Sequence, residues 1–432
     1  MKIVPIIAAL ILLGCSGKVK DSEGIQQEGR LPFPATIDLV KGLENSGAVY
    51  KLSDVADSIK FIILENTEKS LFMSIDQIEI DGQDMIISSS QGQSESYFFH
   101  FNLEGKLLNS VGTIGRGPSE YTNSSVALDT QKKRAVILRW YNGDDFIAFD
   151  YNGAFLGKLT LNPIRQAFRF YFISGGRIVV YNYSQTPPWP VPVESSLFEL
   201  YDSTGILLDR IPSPLLRIKP ETEKTRLRTP AFVSFPGVFK NGNEVFLYSQ
   251  WEDTIYTIEG DEIKPAFILN KGKYSAPLIE RYRETYKDHL PYMGEYLGDH
   301  LLITDSLVFI EQHIGEVKIV FEYNRYSGLT RSSQASPSGR HEWGYLEYPE
   351  QPWFIDDLSG SNSRIYVNRK TGDDVTIAYI CLSPSYFREY YGQELKLDGF
   401  SYNPAMRENR LKVLRELKDD DNPVVILVYM KK

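Results

Sequence analysis

The stretch Tyr97–Tyr121, YFFHFNLEGKLLNSVGTIGRGPSEY, decides the fold of this chain. Its first half alternates between the two faces of a strand, and Phe99, Phe101 and Leu103 fall on the same face. A turn follows at Gly105, after which strand-like residues resume. Alternation with a period of two residues, broken by a turn glycine, predicts a β-hairpin.

Related units recur downstream, and each has a glycine between two strand-like runs. The turn glycines are Gly105, Gly153, Gly205, Gly260 and Gly328. Successive glycines lie 48, 52, 55 and 68 residues apart, and an inserted segment lengthens the last interval. Repeats of roughly 40 to 50 residues with four short strands are typical of β-propeller blades, whereas leucine-rich and helical repeats are shorter or have helical periodicity.

The repeats predict an all-β fold, a six-bladed β-propeller of four-stranded blades. Five blades are expected between about residues 72 and 333, and a degenerate sixth between about 353 and 382. The C-terminal run PVVILVYMKK has no partner strand close to it in the sequence. We expect it to complete the closing blade with an N-terminal strand, Ile59–Leu64, because closure removes an exposed sheet edge. A pair of β-sandwiches joined by long linkers is the alternative.

Two segments, about 275–296 and 404–418, have helical periodicity instead. In the first, Ser275 is a candidate N-cap and Pro277 suits an early helical position. In the second, apolar residues recur on one side of a helix. We predict two short helical insertions that cover a blade edge or the channel mouth, or that form a lid over a binding site.

The N-terminal residues MKIVPIIAALILLGC have the layout of a signal peptide, because one Lys precedes an apolar run too short to span a membrane. Their end, Leu-Leu-Gly-Cys, resembles the bacterial lipobox. This resemblance implies that Cys15 is the lipidated first residue of the mature protein and that Ser16 permits export to the outer membrane. We divide the chain into a signal peptide (1–14), a lipid-anchored tether (15–47) and one propeller domain (48–432). An ordinary secretory signal is the alternative.

Composition narrows the range of partners. The 432 residues carry a formal net charge of −9 and show no Lys/Arg-rich patch, so nucleic acid is not an expected partner. Cys381 is the only cysteine left once Cys15 is lipidated, which excludes an intramolecular disulfide. We expect membrane contact through the lipid anchor only.

Three segments resemble the six-bladed β-propeller lipoproteins of Bacteroidetes, which are relatives of the NHL and TolB-like propellers. The segments are YKLSDV (50–55), IGRGPSEY (114–121) and NPVVI (422–426). Ser119 stands where that family usually has a second glycine, a mild departure. The resemblance covers most of the mature chain and implies the fold and an envelope location, but it implies no reaction.

The Gly-Arg-Gly-Pro motif around Arg116 differs from a phosphate-binding loop. Such a loop is followed by a helix whose N-terminus faces the anion, whereas Pro118 and a strand-like run follow here. The first interpretation is structural: the glycines permit a turn between blades, while Arg116 and Glu120 pair or bond backbone carbonyls. The second is that Arg116 lies at the channel mouth and binds an anionic ligand.

No sequence motif indicates a metal site. The five histidines are not spaced as HExxH or HxH, so a zinc hydrolase motif is absent. Asn142, Asp144 and Asp356 are candidate calcium ligands, because calcium prefers carboxylate and carbonyl oxygens. Turn formation is the ordinary explanation for these residues. We therefore expect no cofactor, with calcium as the exception if the protein is an enzyme.

Two tryptophans lie in Pro-rich segments, Trp189 within TPPWPVP and Trp353 within EQPW. Trp beside Pro forms a rigid platform that can stack on a sugar or a peptide, although either Trp can also fold back onto a blade. The leading hypothesis is a binding or scaffold lipoprotein whose loops, carrying Arg116, Trp189 and Trp353, engage a protein or glycan. The alternatives are a divalent-metal-dependent hydrolase, lactonase or lyase acting at the channel, and a purely structural envelope role.

Overall fold

The computed structural model describes residues 29–68, 70–72, 75–90, 96–122, 124–139, 145–159, 167–182, 195–217, 237–241, 243–249, 252–276, 293–294, 301–314, 317–334, 336–337, 354–361, 364–365, 368–371, 377–395 and 402–431. These residues form six antiparallel sheets, and the chain folds as the predicted six-bladed β-propeller. The innermost strands of neighbouring blades contact one another around most of the ring.

The first three blades are four-stranded meanders in chain order. Blade one comprises Gln77–Asp81, Asp84–Ser90, Ser96–Asn102 and Leu107–Ser110. Blade two comprises Ser124–Asp129, Arg134–Arg139, Asp145–Asp150 and Phe155–Leu159. Blade three comprises Ala167–Phe172, Ile178–Asn182, Ser196–Tyr201 and Leu207–Pro212. The hairpin predicted from Tyr97 onward is thus the third and fourth strands of blade one.

Blade four has a fifth strand from the N-terminal segment. Its meander comprises Gly237–Asn241, Glu244–Tyr248, Thr254–Glu259 and Glu262–Asn270. Ala35–Asp38 pairs in parallel with the last of these, with Phe267 opposite Ala35. The ring therefore includes residues from Ala35 onward, earlier than the predicted domain start at residue 48.

Blade five and the closing blade complete the ring. Blade five comprises Leu301–Ile303, Leu307–Ile314, Val317–Asn324 and Thr330–Ser332, with the short strands Met293–Gly294 and Ser336–Pro337 at its margins. Blade six comprises Asn368–Thr371, Ile377–Leu382, Val424–Met430 and, as its outermost strand, Ala56–Ile62. The last two strands are antiparallel, with Phe61 opposite Ile426. The predicted closure by strands from both chain ends is confirmed.

Two further strand pairs lie between blades, Thr113–Ile114 with Glu120–Tyr121 and Phe354–Ile355 with Arg364–Ile365.

Four α-helices accompany the described strands: α1 (Leu39–Glu44), α2 (Leu52–Val55), α3 (Pro384–Tyr391) and α4 (Pro404–Glu416). The insertion predicted at 404–418 is α4, and it packs on the outermost strand of blade six. There the Phe61 N–H donates to the Asn409 Oδ1 at 2.9 Å. This helix therefore covers a blade edge, the first of the three roles considered for it. Helix α3, which precedes it in the same insertion, was not predicted.

The insertion predicted at about 275–296 lies mostly outside the described residues. The helical prediction was wrong for its final part, because Met293–Gly294 forms a strand that pairs with Ile314 and His313 of blade five. These two residues form a short strand beside the last residues of Leu307–Ile314. A helix could not form the hydrogen bonds of this strand pair.

The two edges of the blades form two faces with different connections. The turns from first to second strand and from third to fourth strand lie on one face, here named the turn face, and most are only two to five residues long. The connections from second to third strand and from blade to blade lie on the other, the connection face, because consecutive strands are antiparallel. The five predicted turn glycines all lie on the turn face and have φ between +60° and +88°.

The hydrophobic core is divided among the blades. The described residues form six buried clusters, one between each pair of neighbouring blades. Phe61, Phe387 and Tyr391, for example, join blade six to α3 with ring centroids 5.1 to 5.6 Å apart. Burial on both sides of each sheet fixes the positions of the strand ends, and thus of the connections between them.

Candidate functional site

The Gly-Arg-Gly-Pro motif forms a compact loop on the connection face between blades one and two. Thr113–Ile114 and Glu120–Tyr121 pair in parallel at its base. The Gly115 N–H donates to the Tyr121 carbonyl at 2.9 Å, and the Glu120 N–H donates to the Gly117 carbonyl at 3.1 Å. The loop is therefore held by its own backbone before any side chain contributes.

The glycines of the motif make room for a carboxylate inside the loop. The Glu120 Oε2 accepts a hydrogen bond from the Gly117 N–H at 2.7 Å. A Cβ at position 115 would lie 2.0 Å from the same oxygen. Gly115 is thus required by the close approach of Glu120, which is a physical reason for the Gly-x-Gly spacing.

Arg139, at the end of the second strand of blade two, anchors this loop. Its Nη1 donates to the carbonyls of Gly117 at 3.0 Å and Glu120 at 2.9 Å, with a longer contact of 3.3 Å to Pro118. The guanidinium is nearly fully buried, with 4% of the side chain exposed. One arginine therefore donates to three carbonyls of the loop.

Asp145 orients Arg139 from the next strand. The Arg139 Nε donates to the Asp145 Oδ1 at 2.6 Å, and the Nη2 donates to Oδ2, so the pair is bidentate. Lys158 approaches the same carboxylate at 2.9 Å. Burial by itself raises the pKa of Asp145, but the hydrogen bonds from Arg139 and Lys158 outweigh it and lower the pKa below its ordinary value. The anchor is therefore charged at neutral pH.

Arg116 lies at the exposed tip of the anchored loop. Its side chain points to solvent and has no hydrogen bond or ion pair among the described residues. The structural role expected of Arg116 and Glu120 was only half right: Glu120 bonds the loop backbone, but Arg139 holds the carbonyls. The role of Arg139 was not predicted, because its loop partners lie about twenty residues earlier in the chain.

The two tryptophans lie outside the described residues. Trp189 belongs to a connection that leaves blade three after Asn182 and returns at Ser196. Trp353 precedes Phe354, whose buried ring lies 4.9 Å from that of Phe309. Both connections join strand ends on the connection face. The structure therefore shows no contact between either tryptophan and Arg116.

Of the three candidate calcium ligands, the structure describes only Asp356. Asn142 and Asp144 lie outside the described residues. Asp356 is fully buried, and its two carboxylate oxygens accept from the N–H and the hydroxyl of Ser359, the N–H at 2.8 Å. Burial raises the pKa of Asp356 to about 6, and the Ser359 hydrogen bonds and nearby Arg410 only partly oppose it. Within the described ranges, no three His, Cys, Asp or Glu residues are grouped as metal ligands would be.

A second buried polar cluster lies at the end of the central hairpin of blade five. The His313 Nε2 is 3.2 Å from the Glu311 Oε1, and Lys318 lies directly opposite His313 in the sheet. Desolvation lowers the pKa of Lys318 to about 8, although Glu311 acts to raise it. The polar alternation Glu311, His313 in the strand LVFIEQHI was a signal that the sequence analysis did not use. All three side chains are almost fully buried.

A sequence profile described as a domain of unknown function (DUF4934) matches residues 34–429. This chain belongs to the DUF4934 family. The match extends from the N-terminal strand of blade four to the last residues of the closing blade, so the DUF4934 domain is the whole ring. No curated protein matches this chain.

Two of the solved structures similar to this DUF4934 protein come from Bacteroides. One, from Bacteroides fragilis, carries the provisional description of an exported protein; it is 17% identical, covers 92% of this chain and 100% of its own, and has a TM-score of 0.60. A DUF4221 family member from Bacteroides vulgatus is 9% identical, with coverages of 87% and 97% and a TM-score of 0.43. The likeness to the Bacteroides fragilis protein supports the fold alone.

None of the helices in the described part of the chain is both long enough and apolar enough to cross a membrane.

Proposed function

We propose that this DUF4934 protein is an envelope-anchored binding module, and that the connection face of its ring engages a protein or glycan partner. Arg116 contacts an anionic group of that partner. One observation carries this proposal: an exposed arginine with no described partner lies on a loop held rigid by a buried arginine. A pre-ordered cation loses little conformational entropy on binding, so such a loop favours recognition.

The envelope location is part of the proposal. The lipobox-like Leu-Leu-Gly-Cys predicts that Cys15 carries a lipid, and a second acyl chain makes attachment lasting. The similar Bacteroides fragilis protein is described as exported, which is consistent with this address. We propose an outer-membrane lipoprotein whose ring lies outside the bilayer.

The test is charge reversal on the two faces of blade two. Arg116→Glu changes the connection face, and Lys132→Glu is the matched control in an exposed turn on the opposite face. Immobilised protein comprising residues 16–432 captures partners from an envelope fraction, and binding of each captured partner is then titrated. We expect Arg116→Glu to weaken binding at least about tenfold, which corresponds to about 1.4 kcal/mol, and Lys132→Glu to leave it unchanged. Equal effects of both variants would remove Arg116 from the site.

The tryptophans are tested separately. Replacing Trp189 and Trp353 together with Ala should abolish binding of the same partner, because aromatic side chains supply much of the binding energy in interfaces. Unchanged binding would restrict the site to the loop that carries Arg116.

Calcium discriminates between this proposal and a metal-dependent enzyme. A ligand at 100 times its Kd stabilises a protein by about 2.7 kcal/mol. We expect the melting temperature of residues 16–432 to be the same with excess calcium and with chelator. A rise that chelator reverses would instead support a hydrolase, lactonase or lyase at the channel.

A further inference from the structure

We propose that the N-terminal segment fixes the orientation of the ring on the membrane, with the turn face toward the bilayer and the connection face away from it. This inference rests on the lipid anchor at Cys15 that forms part of the proposed function. It adds a membrane-facing surface on the side of the ring opposite Arg116.

The first described residues of the chain are bound to the turn face. The Arg30 Nη1 lies 3.0 Å from the Glu244 Oε2, and its Nη2 lies 3.2 Å from the Asp305 Oδ1. The Leu31 N–H donates to the Arg325 carbonyl at 2.9 Å. Glu244, Asp305 and Arg325 all lie at strand-to-strand turns of blades four and five. The chain therefore meets the ring at the turn face.

A buried network makes this attachment firm. The Arg325 Nη2 donates to the Glu244 Oε1 at 2.7 Å, while its Nη1 bonds the other oxygen of the same carboxylate at 3.0 Å. The Arg325 guanidinium also lies 5.6 to 5.9 Å from the ring centres of Phe33, Phe246 and Phe267. Since only 3% of the Arg325 side chain is exposed, these charge-assisted and cation–π contacts are shielded from solvent. Phe33 thus joins Arg30 as the second element of an N-terminal latch, defined here as residues 30–33.

The direction of the next strand shows from which side the chain arrives. Ala35–Asp38 runs parallel to Glu262–Asn270, and that strand begins at the turn after Gly260. The N-terminal strand therefore runs from the turn face to the connection face. The described residues before Ala35 therefore meet the ring at the turn face.

The length of chain between Cys15 and the latch limits which face of the ring can lie toward the bilayer. Fourteen residues lie between Cys15 and Arg30, and an unstructured chain of that length would have a root-mean-square span of about 20 Å. A ring turned the other way would require the same chain to run along the whole height of a blade, about 20 Å for a six-residue strand, before reaching the bilayer. Stretching the tether in this way costs conformational entropy, so the orientation with the turn face toward the bilayer is favoured.

The proposal is tested with the full-length lipidated protein in vesicles of phosphatidylethanolamine and phosphatidylglycerol that contain an acceptor-labelled lipid. A donor dye is attached at Lys132→Cys on the turn face or at Pro118→Cys in the loop that Arg139 anchors on the connection face, both exposed positions, in a Cys381→Ser background. Because the faces are about 20 Å apart, we expect energy transfer from position 132 to be about twice that from position 118. Equal or reversed transfer would overturn the orientation.

Two further measurements separate the possible causes of failure. The double variant Arg30→Ala/Phe33→Ala should equalise transfer from the two positions, while Lys41→Ala, an exposed change in α1, should leave the ratio unchanged. Flotation of the protein with the vesicles, compared with Cys15→Ser, reports the anchor itself. Protein that does not float lacks the anchor, and the orientation proposal fails with it. The Arg116 test uses residues 16–432 without lipid, so its result is independent of both.

Discussion

The turn face and the connection face of this propeller are stabilised in different ways. On the turn face, a glycine with positive φ reverses the chain within a few residues, as at Gly105 with φ of +85°. On the connection face, the loop around Arg116 depends on Arg139, which reaches it from the neighbouring blade. The turns are encoded by a few residues that are adjacent in the chain, whereas the connections acquire their shape only when two blades pack together. The following predictions test this difference, from the largest expected effect to the smallest.

Removing the anchor on the connection face should have the largest effect. Arg139→Met keeps most of the side-chain volume but removes the arginine's hydrogen bonds to the Asp145 carboxylate and to three loop carbonyls. We expect a loss of about 4 kcal/mol in the free energy of unfolding, measured by urea denaturation. Lys158→Met is the control, because its contact with Asp145 is exposed and should contribute about 0.5 kcal/mol or less. Similar losses in the two variants would mean that the loop does not depend on Arg139.

A buried carboxylate in the connection between blades five and six should give a distinctive pH dependence. The pKa of Asp356 is raised to about 6 in the folded protein, so its contribution to stability is complete below its unfolded pKa and is lost as the pH rises through about 6. The difference corresponds to about 3 kcal/mol between pH 3.8 and pH 7. Asp356→Asn should remove this part of the stability profile. An unchanged profile in urea titrations at several pH values would show that folding does not raise the pKa of Asp356.

A paired substitution on the turn face separates backbone conformation from packing. At Gly105 a Cβ would lie 2.2 Å from the Ile63 carbonyl, whereas at Gly260 it would meet nothing within 4 Å. Both glycines have positive φ. We expect Gly260→Ala to cost about 1 kcal/mol from conformation alone and Gly105→Ala about 2 kcal/mol or more. Equal costs would show that the backbone beside Ile63 moves without penalty.

A carboxylate on the turn face should respond to pH in the opposite direction from Asp356. Burial acts to raise the pKa of Glu244, but the hydrogen bonds and charge of Arg325 dominate and lower it. Its contribution is therefore present above the unfolded pKa of the carboxyl and is lost as the pH falls through the lower folded pKa. Glu244→Gln should cost about 1 kcal/mol at pH 7 and progressively less in acid. A penalty that does not change with pH would mean that the charge of Glu244 is not what Arg325 stabilises.

Arg116 should matter least for stability. Its side chain is exposed and has no hydrogen bond or ion pair among the described residues, so Arg116→Ala should change the free energy of unfolding by no more than about 0.5 kcal/mol. The same variant is expected to lose partner binding. A clear loss of stability would instead indicate a structural role for Arg116 and would count against the proposed site.

The fold was predictable from the chain because its signals are local and repeated. Alternating strands and the turn glycines from Gly105 to Gly328 predicted the number of blades. The unpaired C-terminal run predicted closure by an N-terminal strand at Ile59–Leu64, and the structure has that strand at Ala56–Ile62. The strand at Ala35–Asp38 was missed, because four residues beside a Pro-rich segment carry too weak a pattern to identify. Helix α3 was missed although Ser383 caps it and Pro384 begins it, because eight residues are too few to show a clear helical pattern of apolar positions.

The candidate site was only partly predictable. The sequence identified the Gly-Arg-Gly-Pro motif and its exposed arginine, because glycine spacing is a local property. It did not identify Arg139 or Asp145, since the side chains that hold the loop lie about twenty or more residues further along the chain in another blade. Whether Trp189 and Trp353 share a surface with Arg116 remains a prediction.

By itself, the sequence determined the repeat, the turn geometry and the lipobox-like N-terminus, each of which depends on residues adjacent in the chain. Only the tertiary structure decided which charges are buried and with whom: Arg139 with Asp145 beneath the loop, and Arg325 with Glu244 beneath the N-terminal latch. The physical reason is that burial and ion pairing depend on the distances between side chains. Residues that are far apart in the chain come close together only when the ring closes.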